Sequence, residues 1–214
     1  LKFSKYFSGF GVEPIVYTPE NGEAQMMDTG LLKQIPDEVS VIKRKIIEPF
    51  GLYKSFMGLS KKDRINTSFL NEGKTKNAKK ENFDLWVRSN LFIPDARVWW
   101  VNPSVKYLKK YLKQNPVDVI ITTGPPHSLH LIGLKLKQSL KVNWIADFRD
   151  PWTEIDWFSR LKLNKKSLQK HQRLEKQVLQ NADKVVTVSP TWAKSLEKIS
   201  GKKIDVIYNG YDED

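Results

Sequence analysis

From residue 117 onward, short and nearly continuous apolar runs alternate with longer stretches of helical period. The apolar runs at 117–122, 142–146, 184–188 and 204–208 read as strands, and the amphipathic stretches at 127–140, 165–181 and 190–199 as helices. Strands without polar alternation, separated by helices of ten or more residues, predict parallel βαβ units with helices on both faces of the sheet. Upstream, Pro103 is expected to open a helix through Lys113, with Val105, Leu108 and Leu112 as its apolar stripe. At the start, Phe3, Tyr6 and Phe7 share one helical face, and Gly9 and Gly11 supply stop signals. Strands follow at 12–18, with Pro14 near the beginning, and at 39–42. The fold class is α/β, doubly wound and mainly parallel.

Residues 48–82 break the rhythm and read as an insertion. Leu52, Phe56 and Leu59 form an apolar stripe beside Tyr53 and Met57, followed by Lys61, Lys62 and Arg64. Such a pattern within 50–64 suits either a helix lying on anionic headgroups or a stripe packed on the protein's own core. Residues 83–100 carry Trp86, Trp99 and Trp100 among arginines, which suits stacking on sugars or bases, or simple core packing.

Charge and composition narrow the partners. The 214 residues carry a formal charge of +12 and no cysteine. Disulfides and thiolate metal sites are therefore excluded, and an anionic partner is implied. Much of the excess lies between Lys43 and Lys80, outside any groove-reading motif, so nucleic acid is not the expected partner. No apolar run approaches the roughly 20 residues that span a bilayer. The expected location is the cytoplasm, either free or peripheral on the inner face of the membrane.

Two strand ends concentrate chemistry. The first carries Thr123-Gly124-Pro125-Pro126-His127-Ser128, where glycine permits a turn and the prolines are expected to start a helix. The free amides of such a helix would attract an anion or a sugar hydroxyl, and His127 would exchange a proton at its mouth. The second carries Asp147-Phe148-Arg149-Asp150-Pro151-Trp152. There Arg149 could bind phosphate, while Asp147 and Asp150 accept hydroxyls or pin the arginine. A local hydrogen bond at His127 and a structural ion-pair network at the second strand end are the competing accounts. Ligands of open α/β sheets sit beyond such carboxyl ends. His127 and His130 lie three apart on a helix, but without a third ligand at motif spacing no metal is expected. His171 falls in line with Leu168, Leu174 and Val178 and is expected to face the core. Nucleotide-binding glycine motifs and a nucleophile elbow are absent, and no cofactor is expected. The closing Asp212-Glu213-Asp214 is read as solvated.

Taken together, the two strand-end motifs resemble the N-terminal domain of family 4-like glycosyltransferases of the GT-B fold, especially a bacterial branch that builds cell-surface polysaccharides. Leu174-Glu175-Lys176 with Ala182-Asp183, Val188-Ser189 and Tyr208-Asn209-Gly210-Tyr211-Asp212 also match, as do Arg88-Ser89-Asn90 and Ile93-Pro94-Asp95-Ala96-Arg97. The resemblance implies two Rossmann-like domains, residues 1–214 forming the acceptor-side one and the nucleotide-sugar domain lying beyond Asn209-Gly210. It further implies that the family's first strand is absent, which would leave a gap, a distortion or strand exchange between molecules. Transfer with retention to a saccharide or lipid-linked acceptor is the implied activity, and this part alone would not turn over. His127, Asp147, Arg149 and Asp150 are the catalytic candidates. Gly124, Pro125, Ser128, Asn90, Asp95, Arg97, Asn209 and Gly210 are the substrate-binding ones. Many relatives have a histidine where this chain runs into Asp147-Phe148-Arg149, so His127 is left as the candidate histidine. A sugar-nucleotide epimerase of the same fold and a non-catalytic basic domain for membrane or nucleic acid are the alternatives.

Overall fold

In a computed structural model, residues 2–21, 30, 34–46, 85–87 and 89–210 are described. The insertion at 48–82, the amphipathic stretch within it, Arg88 and the closing acidic residues lie outside them.

The described chain runs from α1 (Lys2–Tyr6) through β1 (Ile15–Pro19) and β2 (Ser40–Arg44) to α2 (Val98–Gln114). The regular alternation follows: β3 (Val119–Gly124), α3 (Ser128–Leu140), β4 (Asn143–Phe148), α4 (Lys165–Asn181), β5 (Lys184–Thr187), α5 (Pro190–Ser200) and β6 (Asp205–Val206). Every strand pair is parallel. The sheet order is β3-β4-β5-β6, and β1 and β2 form a separate two-stranded ladder. This is the expected α/β, Rossmann-like arrangement of parallel strands flanked by helices. Among the described residues no ladder joins β1 to β3. The two sheets are instead linked through α2, where Tyr17 of β1 stacks on Trp100 at 5.4 Å and donates its hydroxyl to Ser104 at 2.9 Å.

The apolar runs explain the layering. Trp144, Ala146 and Phe148 alternate along β4 and are wholly buried, together with Leu136 of α3, Val178 and Leu179 of α4 and Leu196 of α5. Burying such side chains contributes about 1.5–3 kcal/mol each relative to exposure. Gly133 lets the Trp144 indole lie directly on the α3 backbone, because a Cβ there would overlap the ring. Helix starts are set by side chains: Asn164 accepts the Ser167 amide at 2.9 Å, and Ser189 accepts that of Trp192 at 3.2 Å.

Four local expectations are corrected. Pro103 lies inside α2, which begins at Val98 because the Asp95 backbone carbonyl takes the Val98 amide at 3.1 Å and starts the turn upstream. The last strand shrinks to Asp205–Val206, leaving Tyr208 exposed. Pro125 and Pro126 belong to the turn, and α3 starts at Ser128. The shared aromatic face at the start is not among them: Phe3 stacks on Phe7 at 5.4 Å, and Tyr6 is exposed. Gly11, at φ 71°, rather than Gly9, forms the left-handed stop after the turn Phe7–Phe10.

Candidate functional site

Parallel register brings the two motif-bearing strand ends together. Thr123 pairs with Asp147 and Gly124 with Phe148, so both turns leave the same edge. The Arg149 amide donates to the Gly124 carbonyl at 3.0 Å, stitching one turn to the other. Thr123 donates its hydroxyl to Asp147 at 3.1 Å, and the Arg149 guanidinium lies 4.0 Å from the same carboxylate. Burial nonetheless pushes the Asp147 carboxyl above its ordinary range, against the pull of Thr123 and Arg149. Arg149 is half-buried, donates to the side-chain carbonyl of Asn209 and stands 5.9 Å over the Phe3 ring. Asn209 is thus brought to the site, with Gly210 exposed beside it, while Asp150 is half-buried and Pro125 exposed.

His127 is not an exposed imidazole at a helix mouth. It is buried and stacked on the Trp152 indole, ring centroids 5.0 Å apart and planes 4° from parallel. Burial, with His171 adding repulsion, lowers its pKa to about 3, so the ring is neutral near pH 7. Gly124 makes room for it: a Cβ there would sit 2.5 Å from His130 Nε2 and 3.1 Å from His127 Nδ1. The Thr122 hydroxyl accepts Trp144 Nε1–H at 2.9 Å and shares a second hydrogen bond of 2.9 Å with His130 Nδ1, fixing the His130 ring beneath Gly124.

The second turn is clamped from α4. Trp152 Nε1–H donates to His171 Nδ1 at 3.0 Å, and Glu175 accepts both the Thr153 amide, at 3.2 Å, and the Thr153 hydroxyl. Burial lowers the His171 pKa to about 4 and raises that of Glu175. His171 faces the interior, as its spacing suggests. The Trp152 and Thr153 contacts were missed from sequence, although Glu175 lies one helical turn beyond His171 on the same buried face.

The remaining candidates divide. The helix-terminus site expected at α3 is already occupied: the Asp95 carboxylate accepts the Ser128 amide at 2.8 Å and the Arg97 amide at 2.9 Å. The next two amides of α3, at Leu129 and His130, go to the Pro126 and His127 carbonyls. Asp95 is buried, which raises its pKa against these hydrogen bonds. Asn90 is a brace, donating to the Trp86 and Lys162 carbonyls at 2.8 Å each and accepting the Asn164 amide at 2.9 Å. Arg97 is half-buried at the start of α2. Among the described residues no group of three or more His, Cys, Asp or Glu side chains could hold a metal ion.

The parallel α/β sheet flanked by helices defines a Rossmann-like domain, and an arginine, carboxylates and a neutral histidine stand at the carboxyl ends of its adjacent strands. The chain belongs to Glycosyltransferase Family 4, whose family model matches residues 69–214. Sugar transfer is accordingly its general role, with a nucleotide-sugar donor and an acceptor as substrates. Neither the curated proteins nor the solved structures gave a match. Among the described residues no helix is long and apolar enough to cross a membrane.

Proposed function

We propose that this chain is the acceptor-side half of a retaining glycosyltransferase, acting on a cell-surface polysaccharide or lipid-linked acceptor with a donor held mainly by a further domain. The observation that supports this reading is the joining of Gly124 and Arg149 across neighbouring strand ends, which sets His127, Asp147 and Arg149 around one edge. During transfer, negative charge grows on the departing diphosphate and positive charge on the sugar ring. Arg149 is the cation at this edge, and its contact with Asn209 leaves its remaining N–H groups to meet an anion. Asp147 holds the guanidinium from the buried side. His127, neutral and with Nδ1 buried, has Nε2 as the nitrogen left to meet a sugar hydroxyl. Asp150 borders the acceptor space, and Gly124 leaves room behind it for the His127 and His130 rings.

The test is product formation by the full-length enzyme given UDP-glucose, UDP-N-acetylglucosamine or GDP-mannose with membrane lipid extract. His127→Ala and Arg149→Ala should each reduce transfer at least about a hundredfold while the near-UV circular dichroism stays native. Full activity in both would overturn the site. Release of an epimerised nucleotide sugar without transfer would favour the epimerase instead.

A further inference from the structure

An aromatic patch and a basic helix meet on the surface of this chain. Leu91 is 61% exposed and Trp99 43%, and the Phe92 and Trp99 rings meet edge to face at 5.8 Å. Large apolar side chains left in water over one segment mark a surface that another phase or molecule covers. Directly beside them, Asn90 and Ile93 share a cavity of about 430 Å³ with Lys165, Lys166 and Lys170 at the start of α4. Along that helix Lys166, Lys170 and Arg173 recur at intervals of four and three residues and are exposed, which places them on one outward stripe. The sole acidic residue of α4, Glu175, is buried and turned to Thr153, and among the described residues no carboxylate forms an ion pair with the stripe. Asn90 fastens the two halves together through Lys162 and Asn164.

We infer that this surface docks on an anionic lipid bilayer, with Leu91 and Trp99 entering the interface and the α4 stripe meeting the headgroups. Tryptophans favour the boundary between headgroups and acyl chains, where an apolar ring body and a polar N–H are both satisfied. The lysine stems can lie along the apolar surface while their ammonium groups reach the phosphates. A nucleic acid would take the same charges but has no use for an exposed leucine. This docking does not depend on the transfer reading, and it is separate from the stretch at 50–64.

The experiment is flotation of the protein with phosphatidylcholine vesicles and with vesicles containing phosphatidylglycerol, at about 0.1 M salt, where charges are felt over ~10 Å. Binding should require the anionic lipid. Each basic residue near such a surface contributes about fivefold, so replacing Lys166, Lys170 and Arg173 together by glutamine should cut partitioning about a hundredfold. Lys166→Arg with Lys170→Arg should retain it. Leu91→Asp should weaken binding without changing the melting temperature, and quenching of tryptophan fluorescence by brominated lipid should fall in Trp99→Phe. Single substitutions along the stripe replace the triple variant if it fails to fold. Equal binding to neutral vesicles, binding unchanged by the α4 substitutions, loss of binding only on charge reversal at Lys61, Lys62 and Arg64, or capture of RNA but not vesicles would each overturn the assignment.

Discussion

The imidazole of His127 lies flat on the indole of Trp152, and the same indole donates its N–H to His171 on the other side. One tryptophan therefore joins the turn after β3 to the turn after β4 and both to α4. Trp152→Phe keeps the stack but strips His171 Nδ1 of its donor, and leaving a buried polar atom unpaired should cost about 1–3 kcal/mol. Trp152→Ala should cost about 3–5 kcal/mol, since a cavity is added. Urea unfolding of the two variants separates the hydrogen bond from the packing.

Acid should loosen the protein through its histidines. His127 and His171 have folded pKa values of about 3 and about 4 against an ordinary 6.5, and that of His130 is also lowered well below it. A lowered histidine contributes stability that is complete above pH 6.5 and is lost as the pH falls toward the folded value, because the unfolded chain takes up the proton first. The raised carboxyls Asp95, Asp147 and Glu175 have the opposite sign: they hold protons longer in the folded state and favour it as the pH falls. His127→Phe retains a stacking ring without titrating. Between pH 6 and 4 its stability should fall less steeply than that of the native protein, by about 1.4 kcal/mol per pH unit. Equal slopes in pH-resolved unfolding curves would refute the histidine account.

Gly124→Ala should disturb the site through space alone. The added methyl would press on His130 Nε2, a ring held by Thr122, so His127 or the turn must give way. A cost of about 1–3 kcal/mol is expected. The measurement is denaturant unfolding together with the histidine ring signals in nuclear magnetic resonance, which should shift for both His127 and His130.

Glu175→Gln and Glu175→Ala should part company. Glutamine keeps an acceptor for the Thr153 amide and can donate to the hydroxyl, so stability should change by less than about 1 kcal/mol. Alanine removes both partners of the half-buried Thr153 and leaves a cavity where the buried Glu175 side chain stood, and should cost about 1–3 kcal/mol. If Glu175 also positions the Arg149 turn, transfer should fall in Glu175→Ala and recover in Glu175→Gln at unchanged donor KM.

The sequence was readable where neighbours in the chain decide the outcome. α4 begins and ends where its pattern says, because Asn164 caps it locally and its apolar positions keep one period. The strand cores were legible because a central parallel strand such as β4 is buried along most of its length and needs apolar side chains in succession, although the β3 run leaves Val119 and Ile121 exposed. Pro103 misled because the start of α2 is fixed upstream by Asp95, whose backbone carbonyl takes the Val98 amide.

The site itself divides along the same line. Periodicity and the Thr123–Ser128 and Asp147–Trp152 motifs by themselves determined a parallel α/β chain with chemistry at two adjacent strand ends. Only the tertiary structure decided what state that chemistry is in. His127 became a buried, neutral ring because Trp152 closes over it. The helix amide thought free for a ligand was taken by Asp95, 33 residues away in the chain. Burial and long-range hydrogen bonds set protonation and availability, and neither is a property of residues near in sequence.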